Sequence, residues 1–222
     1  MVPAYGVRRC PYLGDVAWWS ERVVPRIADR SLSSRPIMRL RRSVCEGLSG
    51  RVLEIGFGSG LNITLYPQAV TSVDAVEPSD LGWDLSAARR ATASVPIARV
   101  GLDGQRLAAG EEFYDAALST FTLCTIPDVE RALAEVRRVL RRGGSLHLLE
   151  HGLAPDPKVA GWQRRLDGVQ GRIAAGCHLV RDAPELARAA GFEVQRLEQA
   201  YLPGPGLSKP WGFVSLVVAT RP

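Results

Sequence analysis

The segment Val52-Leu53-Glu54-Ile55-Gly56-Phe57-Gly58-Ser59-Gly60 holds the residues best suited to chemistry. A short apolar run leads into glycines at every second position, with an acid, Glu54, just ahead of them. Glycine lets the backbone turn tightly after a buried strand and come close to a ligand. A dinucleotide loop needs G-x-G-x-x-G, and the place of its third glycine is taken by Leu61. The G-x-G-x-G spacing suits a ligand with a ribose and an amino-acid end but no pyrophosphate. Gly56, Gly58 and Gly60 would cradle that end, and Glu54 would accept from its ammonium directly or through water.

A second apolar run ends in Val76-Glu77-Pro78, 17 residues beyond Gly60. An acid at the tip of the second strand is the expected partner of both ribose hydroxyls. Asp74 competes for that role, but Val76 and Pro78 put Glu77 at the carboxyl end of the strand. After the third strand, Asp103-Gly104-Gln105 is positioned to meet an adenine, with Gln105 bonding the amino group and Asp103 as second candidate. Leu81, Trp83 and Leu123 either sandwich the ring or belong to the core. These parts together describe a site for S-adenosylmethionine, whose chemistry is methyl transfer.

Methyl transfer from a sulfonium is an in-line displacement, so alignment and exclusion of water matter most. A base is useful only where the acceptor keeps its proton; a thiol near pKa ~8.5 needs far less help than an aliphatic hydroxyl. His151 is the leading candidate base, with Glu150 beside it to orient the ring; a structural His bonding a loop carbonyl is the alternative. His178, next to Cys177, is the second candidate, whereas His147 lies mid-strand and reads as a packed or surface side chain. Cys124 follows the fourth strand, where the acceptor would sit, or is a small core residue. Trp18, Trp19 and Arg22 either line the acceptor pocket or pack a helix onto the sheet.

The elements that must hold these residues alternate along the chain. Expected strands are 52–55, 72–76, 97–100, 116–119, 145–149, 192–197 and 213–219. Two helices precede them over about Asp15 to Leu48, broken at Ser31–Ser34 and Pro36. A short helix is expected after the glycine turn, and another over Asp80–Thr92. One opens at a capping Asp128 and stops at Arg141-Arg142-Gly143-Gly144. Two more follow, over Val159–Ile173 and from a capping box at Asp182–Glu185. Such alternation predicts an α/β, Rossmann-like, doubly wound seven-stranded sheet, mostly parallel, with the last strand antiparallel. Residues 1–50 would form a helical lid within the same domain as the cofactor-binding residues 51–222.

With 222 residues, 46% hydrophobic and 23% charged, the chain has the make-up of one globular domain. The net charge of +5 is carried almost wholly by arginine, in pairs such as Arg8-Arg9, Arg41-Arg42, Arg89-Arg90, Arg137-Arg138, Arg141-Arg142 and Arg164-Arg165. These read as solvated faces rather than a nucleic-acid groove. Cys10, Cys45, Cys124 and Cys177 lie far apart with no C-x-x-C pair, so no metal ligands and no disulfide framework are expected, as in a reducing cytosol. No apolar run is long enough to span a membrane and no signal core follows Met1–Arg9, so a cytoplasmic protein is expected. No pattern specifies an oligomeric state.

From residue 50 to 220 the chain resembles the class I methyltransferases, in the glycine segment, in Tyr114-Asp115-Ala116-Ala117-Leu118 and in Arg138-Val139-Leu140-Arg141-Arg142-Gly143-Gly144. Within them it is similar to the methyltransferase-like thiol S-methyltransferase branch. The resemblance rests on Thr122-Leu123-Cys124, Glu150-His151, Gly176-Cys177-His178-Leu179-Val180-Arg181 and Ala190-Gly191-Phe192. It departs from the superfamily at Gln105, where an acid is common, and at Ala108-Ala109, where Pro-Phe is common. The resemblance implies a small-molecule acceptor, fairly apolar, with sulfur favoured. Ser119-Thr120-Phe121-Thr122 stands where a nucleic-acid amino methyltransferase has Asn or Asp before Pro-Pro, so no nucleic-acid partner is expected. Phospholipid or quinone methylation and a non-catalytic cofactor-binding role are the alternatives.

Overall fold

The computed structural model of the protein describes residues 17–222. Cys10, the Arg8-Arg9 pair, the Met1–Arg9 start and the expected helix start at Asp15 lie outside the described residues. The strands are β1 (Gly50–Ile55), β2 (Val70–Val76), β3 (Ile97–Gly101), β4 (Tyr114–Thr120), β5 (Leu140–His151), β6 (Glu193–Tyr201) and β7 (Phe213–Thr220). They form a seven-stranded sheet in the order β3-β2-β1-β4-β5-β7-β6. The first five run parallel, and β7 is antiparallel to both β5 and β6. From β1 the chain winds outward to β3, then returns to place β4 on the other side of β1. That reversal opens a crevice at the carboxyl ends of β1 and β4.

Side chains alternate across the strands and so divide the core into two layers. Leu53, Ile55, Ala117, Leu146, Leu148, Val217 and Ala219 face α6 (Val129–Val139) and α8 (Ala183–Ala189). Val52, Ala116, Leu118, Leu149 and Leu216 face α3 (Arg35–Cys45). Asp128 caps α6 by accepting from Arg131 N at 2.9 Å, as expected. Asp182 likewise caps α8 through Glu185 N at 3.2 Å, but Glu185 pairs with Arg188 rather than closing the box.

Four local expectations are corrected. The N-terminal segment makes three helices, α1 (Ala17–Arg22), α2 (Val24–Leu32) and α3, because Pro25 as well as Pro36 starts a new one. After the glycine turn there is only a 3₁₀ turn, Ile63–Leu65, since β-branched Ile63 and Thr64 are followed by Pro67. The helix expected over 80–92 breaks at Ser86 into α4 (Asp80–Leu85) and α5 (Ala87–Ala91), where Ser86 Oγ donates back to Trp83 O at 2.6 Å. Finally, α6 ends at Val139 and Arg141–Gly144 belong to β5, with Arg141 bound to Asp115 at 2.6 Å instead of capping the helix. Two further helices, α7 (Pro157–Ile173) and α9 (Lys209–Gly212), complete the set.

Gly50 starts β1 with φ +65°, and a Cβ there would lie 2.0 Å from Asp115 Oδ2. Asp115 is fixed in that place by Arg51 N at 2.7 Å and by Arg141. Gly50→Ala is therefore expected to cost roughly 2–4 kcal/mol in urea unfolding, from backbone strain plus the displaced carboxylate. Gly110→Ala, with nothing within 4 Å, should stay within about 0.5 kcal/mol of the parent. Equal stability of the two variants would contradict this account of the β1–β4 join.

Candidate active site

The crevice is built from the chain leaving β1, β2, β4 and β5. Gly56, Gly58 and Gly60 all have positive φ (72°, 55° and 76°), so the loop after β1 folds back on itself in a way only glycine adopts freely. At Gly56 a Cβ would collide with Thr122 after β4, whereas at Gly58 it would meet only Gly56 O at 3.9 Å. The loop is thus tight against the protein at one end and open in its middle. Glu77 bridges this loop to the end of β2: Oε2 accepts from Gly58 N at 2.6 Å and Oε1 from Ser79 N at 2.7 Å. Only 5% exposed, its carboxyl is pushed up by burial against the opposing pull of those donors and Arg99. Asp74 lies lower in β2, where it accepts from Tyr114 at 3.0 Å and lines a cavity of about 280 Å³ beneath β3.

Glu54 is fully buried inside a polar network that sequence reasoning did not reach. Its oxygens accept from Asn62 Nδ2 at 2.9 Å and from the Tyr66 hydroxyl. Burial lifts its carboxyl to about 7, although Tyr66, Asn62 and Arg41 all favour the charged form. Arg41 donates to Asn62 Oδ1 at 2.9 Å and Thr120 Oγ1 at 2.7 Å, and its buried Nε has no partner among the described residues. This corrects the solvated-face expectation for the Arg41-Arg42 pair: Arg41 is 4% exposed. The pattern of α3 carried the signal, because Ile37, Arg41, Val44 and Cys45 share the buried stripe. Beneath Arg41, 5.4 Å from its guanidinium, lies the ring of Phe121, a non-glycine residue at φ +55° at the end of β4.

The residues after β3 meet the same edge differently from expectation. Asp103 is exposed, and its Oδ1 accepts from both the backbone and side-chain amides of Gln105 at 2.9 and 2.8 Å. The Gln105 carbonyl is engaged by Asp128 N at 2.9 Å, so its amide is fixed between Asp103 and the start of α6. Leu123 belongs to the core, and Trp83 packs on Phe57 with the Arg90 guanidinium 3.8 Å from its ring centre.

Across the crevice, Glu150 is buried and accepts from Ser119 Oγ at 2.8 Å and Thr122 N at 2.9 Å. It holds the turn after β4 and makes no hydrogen bond to His151, since neighbours on a strand point to opposite faces. His151 Nε2 instead meets Cys177 Sγ at 3.1 Å. Cys124, His151 and Cys177 place one ligand atom each within 4.8 Å of one another, which the linear spacing of the cysteines concealed. The neighbouring Cys124, and then His151, outweigh burial and draw the Cys177 thiol below its ordinary range. Burial opposes the His151 imidazolium, but Cys177 and Glu150 raise its pKa all the same, and the Cys124 thiol is pushed up by Cys177 and by burial. His178 is not at the crevice: half-exposed, it bonds Asp167 at 2.9 Å, while its backbone N reaches Cys124 O at 2.9 Å. His147 is packed, between Val44 O and Ser145 Oγ. Trp19 is part exposed and donates to Ile173 O at 2.9 Å, at the end of α7.

A latch ties the N-terminal helices to the loop. Asp29 of α2 accepts from Ser59 Oγ at 2.6 Å and pairs with Arg89 at 3.0 Å, and Arg89 also donates to Ser59 O at 2.9 Å.

Residues 53–148 match the family described as Methyltransferase domain. A thiol S-methyltransferase, TMT1B of Rattus norvegicus, is 32% identical over 161 residues, covering 69% of this chain and 65% of that protein. A phosphatidylethanolamine N-methyltransferase of Cereibacter sphaeroides is 31% identical over 111 residues, covering 46% of this chain and 51% of that protein. The matches to four thiol S-methyltransferases span 64–66% of those proteins' lengths. Among solved structures, a SAM-dependent methyltransferase of Thermotoga maritima superposes with a TM-score of 0.65 at 22% identity, covering 92% of this chain and 98% of that one. Motif order, sheet topology and these matches agree, and the chain belongs to the class I S-adenosylmethionine-dependent methyltransferases.

Proposed function

We propose that the protein transfers the methyl group of S-adenosylmethionine to a small, fairly apolar acceptor, with sulfur favoured over oxygen and nitrogen. The observation that carries the choice of sulfur is the state of the acidic and basic groups on the acceptor side. Glu150 is bound to Ser119 and Thr122 and His151 to Cys177, so neither is left as a free base, and His178 lies away from the crevice on Asp167. An acceptor that gives up its proton near neutrality suits such a site. The relatives named thiol S-methyltransferases point the same way.

The residues fit the cofactor. Its zwitterionic end needs one buried cation and one buried anion; Arg41, whose Nε has no partner among the described residues, and Glu54, whose charged form the cofactor ammonium would favour, supply them. The ribose diol needs an acceptor with two oxygens, and Glu77 offers one, exchanging its bonds to Gly58 and Ser79. The open side of Gly58 leaves room between them. Toward the adenine amino group Asp103 takes precedence over Gln105, whose amide is already engaged and fixes Asp103. Bound there, the cofactor supplies an electrophilic methyl group on a sulfonium. The protein's part is to align the acceptor in line with the carbon–sulfur bond and to exclude water, with α1 to α3, latched through Asp29, acting as the lid.

The phospholipid reading has one observation in its favour: Trp162, Val169 and Ile173 expose an apolar stripe on α7. No helix among the described residues is long and apolar enough to cross a membrane.

Glu77→Ala should weaken S-adenosylmethionine binding at least tenfold in calorimetry while leaving the circular dichroism of the fold unchanged; unaltered affinity would remove Glu77 from the site. In an acceptor screen, thiols should be methylated in preference to phenols, amines and phospholipid vesicles. Methylation of any of those with no thiol turnover would overturn the sulfur assignment. With a thiol acceptor, kcat/KM should climb with pH toward the acceptor's own pKa, near ~8.5, without a separate histidine limb between the ordinary ~6.5 and that point. A limb there, abolished by His151→Asn, would show that histidine acts as base after all.

A further inference from the structure

Cys124, His151 and Cys177 come from three separate parts of the fold: the turn after β4, the last residue of β5 and the loop after α7. Nothing in the cofactor site uses them. The loop that carries Cys177 is nevertheless fastened with care. His178 N donates to Cys124 O, Arg181 donates to Leu123 O, and Asp167 accepts from both Leu179 N and His178. Gly152, beside His151, is the only size that fits, because a Cβ would stand 2.2 Å from Arg181 O. Gln170 adds a contact at 3.7 Å to Cys177 Sγ and is itself held by Trp211 at 3.0 Å. Both cysteines are buried, so two sulfurs and one imidazole nitrogen converge in a pre-shaped, water-poor spot.

We propose that Cys124, His151 and Cys177 form a three-ligand site for a thiophilic divalent ion of the Zn2+ type, with the fourth position open to the sulfur of the methyl acceptor. Tetrahedral zinc with Zn–S near 2.3 Å and Zn–N near 2.0 Å puts its ligand atoms roughly 3.5–3.8 Å apart. The three atoms here, within 4.8 Å of one another, reach that spacing by shifts of about an ångström. A set of two cysteines and one histidine with an open position is the pattern of a catalytic rather than a structural zinc site. Binding releases two protons to solvent, one from the Cys124 thiol and one shared by the Cys177–His151 pair, and leaves His151 a neutral ligand, so the ion and two thiolates are together neutral. Placement supports the second half of the proposal. Cys124 lies two residues beyond Thr122, which packs on Gly56 of the cofactor loop, and His151 follows Glu150, which holds Thr122 N. An acceptor thiol reaching the open position loses its proton to solvent on binding the ion, which supplies the activation that the engaged bases do not. Its sulfur then forms the new bond to the methyl carbon as the carbon–sulfonium bond breaks. This half rests on the thiol reading above.

The test uses the whole chain without S-adenosylmethionine. Zn2+ affinity is measured by competition with a chromophoric chelator for wild type, Cys124→Ser, Cys177→Ser and His151→Asn, with circular dichroism to show that each is folded. One ion per chain, held at least a hundredfold less tightly by the folded cysteine variants and by His151→Asn, is the expected result. No stoichiometric binding by wild type, or a loss below tenfold in all folded variants, would overturn the site and leave the cluster a hydrogen-bonded thiol–imidazole group. The Co2+ form then reports on the fourth position: a small thiol should change its visible spectrum. An unchanged spectrum at saturating thiol would overturn the acceptor half alone. Thiol methylation at full rate by chelator-stripped protein would do the same while leaving the sulfur assignment standing.

Discussion

Burying a carboxylate is costly unless donors surround it, and the crevice of this protein is organised by three such groups. Glu54, Glu77 and Glu150 stand at or just beyond the carboxyl ends of β1, β2 and β5 and are almost wholly shielded from water. Each must collect donors, and in collecting them each fixes a turn. Glu77 fixes the glycine loop against the end of β2, Glu150 fixes the turn after β4, and Glu54 fixes Asn62 and Tyr66 on either side of the 3₁₀ turn. Arg41 from α3 then ties Asn62 to Thr120, so the first helices, β1 and β4 share one polar knot. The same groups that shape the crevice are those a charged, ribose-bearing cofactor would recruit, which accounts for so polar an assembly inside a largely apolar core.

The acceptor side is built on a different principle. There the titratable groups are paired with one another rather than turned toward open space, and the pairing joins segments that are remote in sequence. A site that aligns rather than deprotonates needs rigidity above all. The loop carrying Cys177 obtains it from backbone bonds to the turn after β4 and from the Asp167 carboxylate.

What the sequence disclosed follows the range of the interactions concerned. The glycine spacing, Glu77 before Pro78, the Asp128 cap and the apolar alternation of the strands are local signals, and the sheet, its winding and its antiparallel last strand follow from them. The break at Pro25 was equally local but lay hidden inside an apolar period that ran on through it. Arg41 was obscured by its neighbour Arg42, since a pair of arginines looks solvated unless the helical stripe is counted. The meeting of Cys124, His151 and Cys177 has no local trace: each motif is visible, but only the β4–β5 pairing and the course of α7 bring them together. Gln105 follows β3 as expected, yet its amide turns to the start of α6 because an unpaired helix N–H is the nearer demand.

The central claim is that this edge of the sheet holds a sulfonium nucleoside and not a dinucleotide. Calorimetric titration of the wild-type protein with S-adenosylmethionine and, separately, with NADH tests it most directly. Saturable micromolar binding of the first with no heat from the second is the predicted result. Binding of NADH, or no binding of S-adenosylmethionine to folded protein, would contradict it.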